Sequence, residues 1–197
     1  MGKAILITGV PGTGKSTLAA ALCKKLEAAL LDINKLALAL KLYSHTDSFD
    51  NSKVVRLREL EEELVGSIKA EARNRDVVVE GHLGCEMKLP VSKAIVLRCH
   101  PRKLRQRLSL RGYNEGKIHQ NALAEALDYC TVMAEKNLGK RRVWEIDTTS
   151  KSPAQVLSIA QQIILGKKKK KERVSFPDAM QAEAISGKDL RKAMEKR

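Results

Sequence analysis

Short apolar runs alternate along this chain with longer stretches in which apolar residues recur every three or four positions. Runs of four to six apolar residues fit strands buried on both faces, and the three-to-four spacing fits helices with one buried stripe. Lys3–Thr8 reads as the first strand. A helix follows it, marked by Leu18, Ala19, Leu22, Leu26 and Ala29. Leu30–Ile33 is a second strand, Asn34–Leu42 an Ala/Leu-rich helix, and Ser44–Ser52 a polar loop. Lys53–Arg75 is expected as one long helix. Val54, Leu57, Leu60, Leu64, Ile68 and Ala72 form its stripe, and Glu59 and Glu61–Glu63 its solvated face. Asp76–Glu80 and Ala94–Leu97 are β-branched strands. Pro101 opens a helix through Leu104 and Leu108 that Gly112 closes. Ala122–Asn137 is a helix, Val143–Ile146 the last strand and Pro153–Leu165 the last helix. This alternation predicts an α/β fold with a mostly parallel, doubly wound sheet.

The pattern stops at Gly166. Lys167, Lys168, Lys169, Lys170 and Lys171 follow in a row, and the chain to Arg197 mixes charges of both signs. Residues 1–165 are therefore expected as one domain. Residues 166–197 are expected as a flexible basic tail with one transient helix near Pro177–Ile185.

Composition adds three points. Of 197 residues only 3% are aromatic, so the core is aliphatic. Cys23, Cys85, Cys99 and Cys130 form no C-x-x-C pair, which suits reduced thiols in a cytosol better than a disulfide or zinc framework. No run reaches the length of a membrane span, and a soluble cytoplasmic protein is expected. The net charge of +14 suits an anionic macromolecule such as RNA, or simply a basic, soluble surface.

The chemistry begins at Gly9-Val10-Pro11-Gly12-Thr13-Gly14-Lys15-Ser16-Thr17, which is G-x-x-x-x-G-K-[ST] between a strand and a helix. Such a loop curls its N–H groups around phosphates, and the helix N-terminus behind it favours anions. Lys15 reaches the β- and γ-phosphates of a bound nucleotide, and the Ser16 hydroxyl can ligate Mg²⁺.

Three further groups are candidates. Glu80 ends a central strand, where nucleotide enzymes place a metal-organising carboxylate; the alternative is a strand-end residue in solvent. His82, between Gly81 and Gly84, can orient or deprotonate a water, and equally can be a packed structural histidine. Arg105, Arg107 and Arg111 precede Gly112. Arg107 and Arg111, four apart, share a helix face and suit the spread charge of a transferring phosphoryl group, or a solvated cationic face.

Together the phosphate loop, Glu80-Gly81-His82 after a valine strand, and Arg111-Gly112-Tyr113-Asn114-Glu115 resemble the adenylate kinase isoenzyme 6 family over about residues 1–165. The resemblance implies a P-loop nucleoside monophosphate kinase fold with a five-stranded parallel sheet. It implies ATP-dependent phosphorylation of AMP with Mg²⁺, an accompanying ATPase activity, and a role in late maturation of the small ribosomal subunit. A platform ribosomal protein would be the transient partner, and the Lys167–Lys171 run could meet rRNA or merely solubilise.

On the family's pattern, Gly12, Gly14, Lys15, Ser16 and Thr17 correspond to the ATP-binding loop. Residues 32–53 correspond to the monophosphate segment and 110–120 to a short lid with Arg111 as its ATP-contacting arginine. Glu80 and His82 match the family's variant of the second nucleotide motif, and Lys151 falls near the adenine. Two departures favour hydrolysis over transfer to AMP. Leu36–Leu40 occupies the helix that usually carries an AMP-binding arginine, with Lys41 as its first cation. Gly81-His82-Leu83-Gly84 stands where ordinary adenylate kinases have G-F-P-R.

Overall fold

Five parallel strands form the centre of the protein. The computed structural model describes residues 2–46, 53–169 and 171–179. The strands are β1 (Ala4–Thr8), β2 (Ala29–Asp32), β5 (Val77–Glu80), β6 (Lys93–Arg98) and β7 (Val143–Asp147), in the order β2-β5-β1-β6-β7. β1 is central and every one of its residues is buried, so it needs apolar side chains on both faces. Ile5 and Ile7 point to the face covered by α1 (Lys15–Leu26) and α7 (Pro153–Ile164), where they meet Leu18, Leu22, Val156 and Ala160. Leu6 points to the other face, toward Ile33, Leu60, Leu64 and Leu104. That layer holds α2 (Ile33–Ala39), α3 (Leu57–Glu71), α4 (Pro101–Ser109), α5 (Glu115–Ala126) and α6 (Tyr129–Leu138). From β1 the chain runs to β2 and β5 on one side and to β6 and β7 on the other. The crevice at the carboxyl ends of these strands is where open α/β sheets bind ligands.

The strands and the last helix fall within a residue or two of expectation, and local chemistry explains the sharpest ends. Pro101 opens α4, where its missing N–H breaks no helical bond. Ser152 and Gln155 form a reciprocal capping box on α7.

Three expectations fail. The helix expected to reach Leu42 stops at Ala39, and Lys41 takes a left-handed φ of 53°. The helix expected over Lys53–Arg75 begins only at Leu57. Residues Lys53–Val55 form β4, antiparallel to β3 (Tyr43–Thr46), so Val54 pairs with His45 rather than extending the stripe. Two adjacent β-branched valines favour that strand. The polar loop expected at Ser44–Ser52 therefore starts as strand, and residues 47–52 lie outside the described set. Finally, Ala122–Asn137 is not one helix. α5 begins at Glu115, capped by the Asn114 side chain on the Lys117 N–H, and ends at Ala126; Asp128, at φ 55°, separates it from α6. The apolar spacing runs through the break unchanged, so periodicity alone could not reveal it.

The segment past Gly166 also differs from a free tail. Residues 171–179 lie against the domain, with Phe176 only 8% exposed. Its anchor is Arg98, 1% exposed, whose guanidinium faces Glu125 (2.7 Å), Asp128 (2.5 Å) and Glu145 (2.5 Å). Burial opposes the charge on Arg98, but these carboxylates outweigh it and raise its pKa. The helix expected at Pro177–Ile185 is described only over residues 177–179, and Lys170 lies outside the described residues. All four cysteines are free thiols, and no helix among the described residues is long and apolar enough to cross a membrane.

Candidate functional site

β1 delivers the chain to Gly9, the first of three glycines in this loop with positive φ, at two of which a side chain would also clash. Gly9 has φ 132°, and a Cβ there would lie 2.4 Å from the Leu97 carbonyl oxygen. Gly12 has φ 89° and would push a Cβ into Leu104 of α4. Within the loop, the Thr13 hydroxyl donates to the Val10 carbonyl at 2.9 Å, and Lys15 Nζ donates to the same oxygen at 3.1 Å. No side chain caps α1, which leaves its first-turn N–H groups facing the crevice.

Two cavities border this loop. The first, about 400 Å³, is walled by Leu18, Leu97, Pro153 and Val156, with Arg107, Arg111, Thr148 and Lys151 supplying polar groups. The second, about 280 Å³, is polar and gathers Lys15, Ser16, Asp32, Asn34, Glu80, His82, Arg111 and Tyr113. Gly12, Gly14, Thr17 and Arg111 border both. A largely apolar slot and a polar chamber thus share the border of one phosphate-type loop.

The strands set the charges of the second chamber. Glu80 and Asp32 are direct neighbours at the ends of β5 and β2. Burial raises the pKa of Glu80 and Asp32 adds to this, while Lys15 and a hydrogen bond from Ser16 pull it back. Lys15 is lowered by burial, with Glu80 opposing. His82 opens a short 3-10 turn at His82–Glu86; burial and then Lys15 push its pKa down to about 4, so it is a neutral imidazole at neutral pH. Its backbone carbonyl accepts from the Thr8 hydroxyl and the Cys85 thiol, which fixes the turn under the loop.

The three arginines separate. α4 ends at Ser109, so Arg111 lies beyond it rather than on a shared helix face, yet it borders both cavities. Arg107 lines the first cavity; its Nη2 donates to the Thr148 carbonyl at 2.7 Å and its Nη1 to the Thr148 hydroxyl at 3.2 Å. Arg105 borders neither cavity and pairs with Glu115 at 3.2 Å. Sequence reasoning assigned no role to Asn34, Tyr113 or Thr148. Their signal was position: each lies just beyond the carboxyl end of a strand or in the lid motif, where a parallel sheet exposes polar side chains to its ligand.

No group of three or more His, Cys, Asp or Glu residues among the described residues could hold a metal alone. Ser16, Glu80 and Asp32 offer only oxygen donors, which suits Mg²⁺ shared with phosphates and water.

Fold and loop together define a P-loop kinase of the nucleoside monophosphate kinase type. Shikimate kinase from Acinetobacter baumannii superposes with a TM-score of 0.62 at 16% identity, over 86% of this chain and 97% of that one. Thymidylate kinase from Candida albicans gives 0.53 at 17%, over 88% and 96%. A family model described as an AAA domain matches residues 5–128. A protein of Methanocaldococcus jannaschii named "Putative adenylate kinase" is 35% identical over 174 residues, spanning 88% of this chain and 91% of its own length. A protein of Methanothermobacter thermautotrophicus with the same name is 40% identical over 162 residues, spanning 82% and 90%. The chain belongs to this archaeal adenylate-kinase family.

Proposed function

We propose that the protein is an ATP-dependent nucleoside monophosphate kinase of adenylate kinase type, converting ATP and AMP to two ADP, and that it also hydrolyses ATP. The observation that carries this reading is the pair of cavities meeting at the phosphate loop with Arg111 on both. The apolar slot suits a purine, and the polar chamber suits an acceptor phosphate or a water.

In the reaction, an acceptor oxygen attacks the γ-phosphorus, the bond to the β–γ bridging oxygen breaks, and ADP leaves with that electron pair. Lys15 and Arg111 stabilise the charge that spreads over the transferring group. Ser16 would hold Mg²⁺ directly and Glu80 would hold it directly or through a water, and the ion would neutralise phosphate charge. Neutral His82 can accept a hydrogen bond from water in the chamber and orient it.

One observation favours a second reading, in which hydrolysis dominates. Among the described residues, Lys15 and Arg111 are the cations that line the polar chamber; Lys35 of α2 stands outside the lining, 3.9 Å from Asp32. AMP is then held weakly and water competes. A nucleotide-switched role in small-subunit maturation, with a platform ribosomal protein as partner, is the finer proposal that follows from the family resemblance. A contact of Lys167–Lys171 with rRNA belongs to it, supported by the net charge of +14. Capture of that ribosomal protein by the purified chain, with and without ATP, tests the partner; no capture in either state rejects it. ADP formation from ATP with and without AMP tests the kinase reading.

A further inference from the structure

Three carboxylates surround one buried guanidinium at Arg98, and the chain beyond α7 supplies what that imbalance lacks. Arg173 places Nε 3.8 Å from Glu145 and Nη1 2.9 Å from Glu135. Val174 closes the cluster with its backbone: its N–H donates to Glu145 Oε2 at 3.1 Å, and its carbonyl accepts from Arg98 Nη1 at 3.0 Å. The Phe176 ring covers the guanidinium, with its centroid 5.6 Å from the Arg98 Cζ. A buried carboxylate left short of partners is costly, so this segment completes the cluster and does not merely decorate it.

Arg98 has a second end. Its backbone carbonyl accepts from the Thr148 N–H at 2.8 Å and lies 2.9 Å from the Thr148 hydroxyl. That hydroxyl also lies 3.1 Å from the Thr13 carbonyl in the phosphate loop, and Thr148 is the residue that holds Arg107 in the first cavity. The side chain of Arg98 therefore ends at the C-terminal segment, and its carbonyl ends at the wall of the nucleotide site.

We propose that residues 171–179 are a strap that positions the base-side wall of the nucleotide site: the strap fixes Arg98, Arg98 fixes Thr148, and Thr148 fixes Arg107 and the Thr13 turn. This rests on the reading that the first cavity takes the ATP base. Arg98 is a positioning residue here, acting through Thr148, which itself lines the first cavity beside Arg107.

The full-length chain tests this with Arg173→Ala, Val174→Pro, Thr148→Val and the double variant Thr148→Val/Val174→Pro. Measured for each are KM for ATP, kcat, affinity for a non-hydrolysable ATP analogue, and Tm. Each single variant is expected to raise KM and the analogue's Kd roughly fivefold or more, with kcat within about twofold for Arg173→Ala and Val174→Pro, which lie outside the cavity. The double variant is expected to be no worse than the weaker-binding single, because both act along one chain of contacts. Arg173→Ala, at an exposed side chain, keeps the test open if Val174→Pro fails to fold. Unchanged KM with a lowered Tm would reduce the strap to a stabilising element and overturn the proposal, as would additive losses in the double variant. Lys15→Ala separates the two readings. If it binds the analogue as tightly as the wild type, the nucleotide site itself is misassigned, and the strap proposal falls with it.

Discussion

Glu80 stands directly beside Asp32, two carboxylates paired across β5 and β2 at the end of the sheet that faces the phosphate loop. Asp32 also caps α2, accepting from the Lys35 N–H at 3.0 Å. Asparagine caps as well as aspartate, so Asp32→Asn removes the charge and keeps the helix. Asp32 raises the pKa of Glu80, and its neutralisation should lower it. The acid limb of the pH–rate profile is then expected to move to lower pH in Asp32→Asn. On the proposal that Glu80 helps to hold Mg²⁺, Glu80→Gln is expected to cost roughly a hundredfold or more in kcat. A pH–rate series on the three proteins reads both effects; an acid limb that stays in place shows that Glu80 does not set it.

His82 makes a pH prediction of its own. With a pKa of about 4 against 6.5 in the unfolded chain, it stays neutral through the range where an ordinary histidine titrates. Turnover should show no inflection from His82 between pH 5.5 and 7.5. The unfolded chain binds the proton first, so stability is lost as pH falls from about 6.5 toward 4, by up to about 3 kcal/mol. Denaturant unfolding of wild type and His82→Asn across that range measures it; parallel curves contradict the shift.

The same residue should separate the two fates of the γ-phosphate. His82→Ala is expected to reduce hydrolysis more than transfer to AMP, because only hydrolysis needs a water oriented there. Equal losses would remove that role.

Arg111 and Arg105 are close in sequence and unlike in place. Arg111 borders both cavities, whereas Arg105 is turned to Glu115. Arg111→Ala is expected to lower kcat by about 10³-fold, in the range of arginines that stabilise phosphoryl transfer. Arg105→Ala should change it by only a few-fold, since it breaks a half-exposed ion pair. Steady-state rates of the two variants, measured side by side, make the comparison.

Breaking the Arg98 cluster should cost stability outright. Arg98→Ala leaves Glu125 and Glu145 buried without their cation, and about 3–5 kcal/mol is expected in urea unfolding. A loss below 1 kcal/mol would show that the carboxylates relax into solvent or take up protons at little cost.

The sheet was readable because strands buried on both faces must be continuous apolar runs, as Ile5–Leu6–Ile7 and Val77–Val78–Val79 are. The phosphate loop was readable because its geometry admits few residues. The break at Asp128 was not, because the apolar spacing continues across it; what bends the chain there is a carboxylate reaching Arg98, thirty residues away. Arg98 belongs to no motif and lies just past the expected strand Ala94–Leu97. Its three partners lie far along the chain, and no local spacing announces a buried charge cluster. The same distance hid the strap: Val174 meets Arg98 across 76 residues, and the five lysines before it read as a flexible basic tail, a contact for rRNA or a solubilising appendage. In the site, Lys15, Glu80, His82 and Arg111 came from motifs, while Thr148 had no motif and is visible only through the contacts that it makes.

The most direct test of the central claim is ADP production from ATP and Mg²⁺, with and without AMP, by wild type and Lys15→Ala. The account predicts that AMP raises ADP formation above the ATPase background in the wild type, with two ADP formed for each AMP consumed, and that Lys15→Ala loses both activities. A wild-type rate that AMP leaves unchanged would contradict the kinase assignment.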